Sequence, residues 1–152
     1  MTSSIAYVHG KNLQERFNGK GNQGEWLPLI PPTTWQGSIE KNWVTNFSWM
    51  PNLHVTASWE SAAAQNRYLA LYGTETRTAA YTLFHLGWGT SLTLGSKRQL
   101  SIQCQINNLF DLAYQNHLSR LKYLEYYQSA PNGNSGIYNM GRNASIKCIF
   151  SF

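Results

Sequence analysis

An alternation of apolar and polar residues with a period of two is the feature that most constrains this chain. Every even position from Ala144 to Phe152 is apolar, and most of the odd positions between them are polar. Successive side chains of a β-strand point to opposite faces, so this pattern predicts a strand with one apolar and one polar face. The same pattern predicts five further strands, within residues 4–10, 33–49, 53–65, 81–95 and 100–114. We therefore expect an all-β chain of about six long strands.

The predicted connections alternate between short and long. Tight turns are predicted at residues 50–52 and 95–98, and long loops at about 10–32, 67–80 and 115–141. Strands joined in this way form an antiparallel up-and-down meander with the long loops at one end. Long two-faced strands with this loop asymmetry are typical of an outer-membrane β-barrel, whose apolar face meets lipid and whose polar face meets a wet lumen. A soluble β-sandwich or lipocalin-like barrel, which buries its apolar face, is the alternative.

The composition fits either an all-β binding domain or a wall whose two faces meet different solvents. Charged residues make up 12% of the 152 residues and aromatic residues 14%. The net charge of +5 is scattered without a basic run, which argues against a nucleic-acid partner. No apolar stretch is long enough for a transmembrane helix, and residues 1–10 lack the features of a signal peptide. Aromatic residues near strand ends are expected in interfacial girdles, namely Trp35, Trp49, Trp59, Tyr81, Tyr114 and Phe152.

Four stretches resemble the C-terminal end of the TonB-dependent outer-membrane receptors. They are LPLIPP (27–32), AYTLFHLGWGTSLTLG (80–95), INNLFDLAYQNHLSRLKY (106–123) and GIYNMGRNASIKCIFSF (136–152). Within that family, LPLIPP and HLSRLK (117–122) are most similar to the zinc- and copper-uptake branch. The resemblance implies a barrel of about 22 strands around a plug domain. About six strands cannot enclose the lumen of such a barrel. We therefore expect residues 1–152 to be the C-terminal barrel segment of a larger receptor, without its plug domain, TonB box and signal peptide.

The resemblance also implies what such a receptor does. It would lie in the cell outer membrane and import a metal ion or metal chelate, of the iron, zinc or copper type, with energy from the TonB system. This segment would form barrel wall and extracellular loops, contact lipid and lipopolysaccharide, and reach the TonB system only through the missing plug. Two alternatives stay open: a soluble all-β carbohydrate-type domain that stacks Trp and Tyr on sugars, and a non-functional remnant of a truncated gene.

The resemblance singles out three groups of residues. The terminal strand of such barrels is recognised by the barrel-assembly machinery, a signal matched by Ile146, Phe150 and Phe152. Structural positions of the family motifs correspond to Asn107, Asn108, Asp111, Arg142 and Asn143. Among them, Asn108 is expected on the lipid face, with a hydrogen bond to the neighbouring strand. Basic residues for lipopolysaccharide phosphates, or alternatively for loop packing, are Arg120, Lys122 and Arg142.

The sequence predicts neither an active site nor a cofactor. It has seven Asp and Glu residues, without a clustered Ser/His/Asp set or a glycine-rich phosphate loop, so we expect no enzyme. Imidazole suits zinc and copper, and thioether sulfur suits copper. The weak candidates for metal ligands are therefore His9, His85, His117 and Met140, each of which is more simply interpreted as a wall or loop residue.

Overall fold

The computed structural model describes residues 1–71, 75–94, 98–123 and 136–152 of the chain. Its strands are β1 (Thr2–Ala6), β2 (Thr34–Val44), β3 (Asn52–Ala62), β4 (Tyr81–Leu94), β5 (Arg98–Asn107) and β6 (Asn143–Ser151). They form one six-stranded antiparallel sheet in the order β1-β2-β3-β4-β5-β6, which confirms the predicted all-β meander. Short 3-10 turns lie at Glu15–Phe17, Gly21–Gln23 and Arg120–Tyr123. In the described part of the chain, no helix has the length and apolar composition needed to cross a membrane.

The strand register gathers the apolar positions on one face of the sheet. Trp88 of β4, for example, lies opposite Val55 of β3 and Cys104 of β5. Because side chains alternate and all pairs are antiparallel, one such match fixes the faces of every neighbouring residue. The apolar face carries Ile5, Trp35, Ile39, Trp43, Leu53, Val55, Ala57, Trp59, Phe84, Leu86, Trp88, Leu92, Leu100, Ile102, Cys104, Ile106, Ala144, Ile146, Cys148 and Phe150.

The small buried core of the sheet lies on the other, polar face. Ala62, Tyr81 and Leu83 are buried together at the ends of β3 and β4, and Tyr114 of the loop after β5 packs against them. The ring centroids of Tyr81 and Tyr114 are 4.7 Å apart. The predicted place of these two tyrosines in a lipid-facing girdle is therefore wrong. They join a loop to the polar face because Tyr81 falls at an odd position of β4.

Residues 7–33, 63–80 and 108–142, called here the first, second and third loops, connect strands at that end of the sheet, and Tyr114 is the third-loop residue that packs on the buried core. Gln65 and Thr78 exchange backbone hydrogen bonds inside the second loop, and the Gln65 amide donates to the Ile30 carbonyl of the first loop. The Glu75 carboxylate accepts backbone N–H groups from Leu29 and Leu69. These contacts join the described parts of the first and second loops, and the Lys122 ammonium of the third loop donates to the Thr76 carbonyl of the second, so that the described parts of the three loops form one cap.

The predicted strand end and tight turn near residue 50 are wrong. β2 ends at Val44, and residues 45–51 form the connection to β3. The Thr45 N–H donates to the Pro51 carbonyl at 3.0 Å, and the Thr45 hydroxyl donates to the Met50 carbonyl. Pro51 has no N–H for a strand ladder, so the longer turn avoids placing it inside the sheet. The predicted turn at 95–98 lies mainly outside the described residues.

The prediction of one strand over residues 100–114 is also wrong. β5 ends at Asn107, and Asn108 adopts a left-handed conformation with φ 52°. Asn108 is 4% exposed, and its amide both donates to the Leu112 carbonyl and accepts from the Leu112 N–H, each at 2.9 Å. Asparagine tolerates this backbone conformation and closes local turns with its side chain. Asn108 therefore ends the strand and does not lie on the apolar face.

Candidate functional site

The strand ends of β5 and β6 form a hydrogen-bonded junction. Asn107 lies opposite Asn143, and the Asn107 amide nitrogen donates to the Asn143 side-chain oxygen at 3.2 Å. The Nδ1 atom of His85 lies 3.2 Å from the Asn107 side-chain oxygen and 3.4 Å from the Asn108 N–H nitrogen. In one tautomer of His85, Nδ1 donates to the Asn107 side-chain oxygen, and in the other it accepts from the Asn108 N–H. In either tautomer, His85 Nδ1 therefore forms a hydrogen bond at the strand junction.

The ends of the third loop meet at the same junction. A carboxylate oxygen of Asp111 accepts the Arg142 N–H at 2.7 Å. Gly141 precedes that N–H, and a Cβ atom there would lie 2.6 Å from the same oxygen, so the contact requires glycine. The structure thus brings together all five family-motif positions of the sequence analysis. Their contacts join the two ends of the third loop to the β5–β6 edge.

A buried polar cluster lies where the second and third loops meet. His117 has 0% exposure, and its Nδ1 lies 2.7 Å from the Thr78 hydroxyl. Its Nε2 lies 3.7 Å from a Glu75 carboxylate oxygen and has no hydrogen-bond partner among the described residues. Lys122 is 4% exposed and donates to the Thr76 carbonyl at 2.8 Å and to the Thr76 hydroxyl at 2.7 Å. These buried polar contacts connect the two loops.

Burial shifts the protonation of this cluster. The pKa of His117 is lowered, first by burial and then by the charge of Lys122, while Glu75 opposes the shift. Burial lowers the pKa of Lys122 to about 8, and burial together with Glu75 raises the pKa of Tyr123 to about 12. His117 is therefore neutral at pH 7. Of the two alternatives for Lys122, the structure shows loop packing, because its side chain is buried inside the cap, whereas Arg120 and Arg142 are exposed.

The four candidate metal ligands lie in separate places. His9 contacts Tyr7 and Arg67 in the loops, His85 lies at the strand junction, and His117 is inside the cap. Met140 is 73% exposed. Within the described ranges, no three His, Cys, Asp or Glu side chains are close enough to hold a metal ion together. The candidates thus do not assemble into one site there.

A tyrosine-rich pocket of about 490 Å³ opens between the second and third loops. Tyr68, Tyr81, Tyr114 and Tyr138 line it together with Arg77. The Tyr81 hydroxyl lies 3.4 Å from a Glu60 oxygen on the polar face. Phenolic hydroxyls and a guanidinium beside aromatic rings offer hydrogen bonds and stacking to a polar solute. The spacing of these residues in the sequence does not predict the pocket, although tyrosine is concentrated in the loops.

A second pocket, of about 370 Å³, follows the polar face of β3, β4 and β5. Its floor contains Gly87, and its walls include His54, Gln103 and Lys147. At the turn end, a Cβ atom on Gly89 would lie 2.4 Å from the His54 ring, so the ring occupies the space above the glycine. The middle of the polar face is therefore an open, hydrogen-bonding surface.

The matched residues of the terminal strand all lie on the apolar side. Ile146, Phe150 and Phe152 are 73%, 50% and 96% exposed, and the rings of the two phenylalanines are 6.1 Å apart. β6 pairs with β5 along one edge, and its other edge has no partner strand among the described residues. This edge has unpaired backbone groups that can receive another strand.

Comparison with known proteins gives no assignment. No protein-family model matches the chain, and neither a curated protein nor a solved structure matches it. The resemblance to TonB-dependent receptors thus depends on the quoted sequence stretches alone, and the function has to be argued from the faces and loops described above.

Proposed function

We propose that this chain is a wall segment of an outer-membrane β-barrel receptor of the TonB-dependent type. In this proposal, the apolar face of the sheet meets lipid, the polar face meets the lumen, and the three long loops lie outside the cell. Such a barrel has about 22 strands, of which this sheet would supply six. The segment itself is structural and catalyses no reaction.

The observation that carries the proposal is the position of the loops. Tyr114 of the third loop packs onto the polar face at Tyr81 and Leu83, whereas on the apolar face the ring of Phe110 packs on Phe84 and the large side chains of the other strands stay exposed. Trp35, Trp43 and Trp88 on that face are between 42% and 46% exposed. A soluble β domain buries its apolar face and exposes the polar one. The opposite arrangement here is what a wall between lipid and a wet lumen requires.

Aromatic residues at both ends of the apolar face support the same proposal. Trp35 packs edge-on against Trp59 at the long-loop end, with ring centroids 5.5 Å apart, and Trp43 lies at the turn end of β2. From Trp35 to Trp43 the strand covers about 26 Å, or about 20 Å along the membrane normal at the usual tilt. Barrels of this kind have an apolar band of about 25 Å between aromatic girdles. Lys41 and Arg98, the charged residues of this face, are near its turn end, where long basic side chains reach headgroups.

The transport activity is proposed from the sequence resemblance. The parent receptor would import a metal ion or metal chelate, of the iron, zinc or copper type, and the TonB system would act on its plug domain. Lipid and lipopolysaccharide surround the wall in this proposal, and the barrel-assembly machinery recognises β6. Uptake of labelled iron, zinc and copper chelates, in cells that carry or lack the gene, tests this part separately.

Thiol accessibility tests the orientation of the wall. Cys104 and Cys148 both lie on the apolar face and form no disulfide. With the full chain reconstituted in lipid bilayers, we expect both thiols to resist a charged, water-soluble maleimide until the protein is unfolded. The matched control replaces both cysteines by serine and adds Gln103→Cys or Ser145→Cys on the polar face. These polar-face thiols should react in the folded state.

The outcomes separate the proposal from its alternatives. Equal labelling of both faces in folded, bilayer-bound protein would contradict the wall. A chain that stays monodisperse in water without detergent, with protected native thiols, would favour the soluble carbohydrate-binding alternative. A chain that forms no protected structure in either solvent would favour the gene remnant.

A further inference from the structure

An arginine flanked by aromatic rings lies in the loops, outside the clusters described above. The Arg67 guanidinium carbon lies 5.5 Å from the Tyr7 ring centroid and 5.7 Å from that of Trp26. Its Nη1 is 3.1 Å from the Tyr7 hydroxyl and 3.3 Å from His9 Nδ1. The His9 ring packs edge-on against Trp26, with centroids 5.6 Å apart. These four residues, from the first and second loops, form the aromatic-arginine cluster.

The charge of this cluster is not neutralised by the described residues. Arg67 forms no ion pair within 4.0 Å there, and the nearby Glu25 is paired with Lys11 at 2.7 Å. The contacts of Nη1 are with neutral groups, the Tyr7 hydroxyl and the His9 imidazole. A guanidinium has five N–H donors, and the described residues give Nε and Nη2 of Arg67 no acceptor. Donors in a fixed fork therefore remain for an anion.

The surroundings of the guanidinium narrow the class of ligand. Arginine binds phosphate and carboxylate through two parallel hydrogen bonds. Tyr7 is 58% exposed and Trp26 is half-buried, so flat apolar surface lies beside the charge. The Tyr7 hydroxyl and the His9 ring add neutral hydrogen-bonding groups at the rim, which suit the hydroxyls of a sugar.

We propose that the aromatic-arginine cluster binds an anionic sugar, in which the guanidinium of Arg67 holds the phosphate or carboxylate and Trp26 contacts the sugar ring. The ligand is a phosphorylated or carboxylated hexose, supplied by a glycolipid headgroup or by a soluble saccharide. This site is separate from the transport route and does not require the sheet to lie in a membrane.

Calorimetric titration of the full chain in detergent tests the site. The soluble probes are glucosamine 6-phosphate, glucosamine, inorganic phosphate and adenosine monophosphate. We expect the first to bind at least tenfold more tightly than each of the others, and Arg67→Gln to weaken it at least tenfold. Arg16→Gln is the control, because Arg16 is another loop arginine, exposed where Arg67 is half-buried, and its guanidinium carbon lies 4.6 Å from the centroid of one ring only, that of Phe17.

A second readout uses the unmodified protein, in case Arg67→Gln does not fold. We expect the His9 imidazole resonances to shift on addition of glucosamine 6-phosphate, and those of His54, on the polar face, to stay unchanged. No shift at His9, or equal losses in Arg67→Gln and Arg16→Gln, would overturn the site. Equal affinity for phosphate alone or for adenosine monophosphate would overturn the sugar specificity.

A final comparison identifies the source of the sugar. Bicelles that contain a phosphorylated glucosamine disaccharide lipid are compared with plain phosphatidylcholine bicelles. Binding that exceeds that of the soluble sugar at least tenfold supports the lipid headgroup, whereas equal or weaker binding supports a soluble saccharide. Absence of binding to the bicelles and to the soluble sugar would overturn the proposal.

Discussion

Replacing Asn108 should destabilise the fold in an order that its contacts dictate. Asn108→Ala removes two hydrogen bonds to Leu112. It also leaves alanine at φ 52°, a left-handed backbone conformation that no side-chain hydrogen bond then stabilises. Each bond contributes about 1 kcal/mol, and the left-handed backbone costs alanine about 1 kcal/mol more. We therefore expect a loss of about 3 kcal/mol for alanine. Glycine, which tolerates this φ, should lose about 2 kcal/mol.

Urea unfolding of the full chain in detergent micelles, followed by tryptophan emission, measures these differences. Asn18→Ala is the control, because Asn18 is an exposed loop asparagine and its loss should cost less than about 0.5 kcal/mol. If alanine at position 108 were as stable as wild type, the turn would not depend on the amide. If glycine were less stable than alanine, the cost assigned to the left-handed backbone of alanine would be wrong.

Three further predictions concern the cap and the two faces. The pKa of His117 is lowered in the fold, so below pH 6.5 the unfolded loops bind more protons than the folded cap. The cap therefore loses stability as the pH falls. We expect amide hydrogen exchange at Leu69 to become faster relative to its intrinsic rate at the same pH. Gly37→Ala places a methyl 2.3 Å from a tryptophan ring atom and should cost about 1–3 kcal/mol in the urea assay. Ile146→Lys should lower the free energy of unfolding in bilayers by about 2–4 kcal/mol, and Ser145→Lys should change it by about zero. Equilibrium folding into lipid vesicles measures both.

The faces of the sheet could be predicted from the sequence because the alternation is a local property of each strand. Where the alternation continued into a turn, the prediction went wrong. Phe110 follows Asn108, whose left-handed backbone redirects the chain, so it lies in the loop and not in β5, although its ring still packs on Phe84 of the apolar face with ring centroids 5.5 Å apart. A periodic pattern does not predict the residue at which the strand ends. The sequence feature that indicates this strand end is the Asn107-Asn108 pair, because asparagine favours turns.

The contacts between the loops could not be predicted in the same way. His117, Glu75 and Lys122 have no common spacing in the sequence, and they meet only because three antiparallel connections return to the same end of the sheet. The aromatic-arginine cluster has the same origin, since Tyr7 and Arg67 are 60 residues apart. Candidate sites of this kind become visible only when the topology is known.

The balance of buried residues indicates where the stability of the sheet has to come from. Among the described residues, four apolar side chains are buried, namely Ile30, Ala62, Tyr81 and Leu83, against seven polar or charged ones. Burial of apolar area is the main favourable term in folding, and buried polar groups contribute little beyond their own desolvation. Internal packing of this kind cannot offset the conformational entropy of six ordered strands. In the wall proposed above, lipid would cover the apolar face and the neighbouring strands of a closed barrel would pair the edges of β1 and β6, and together they would supply the missing free energy.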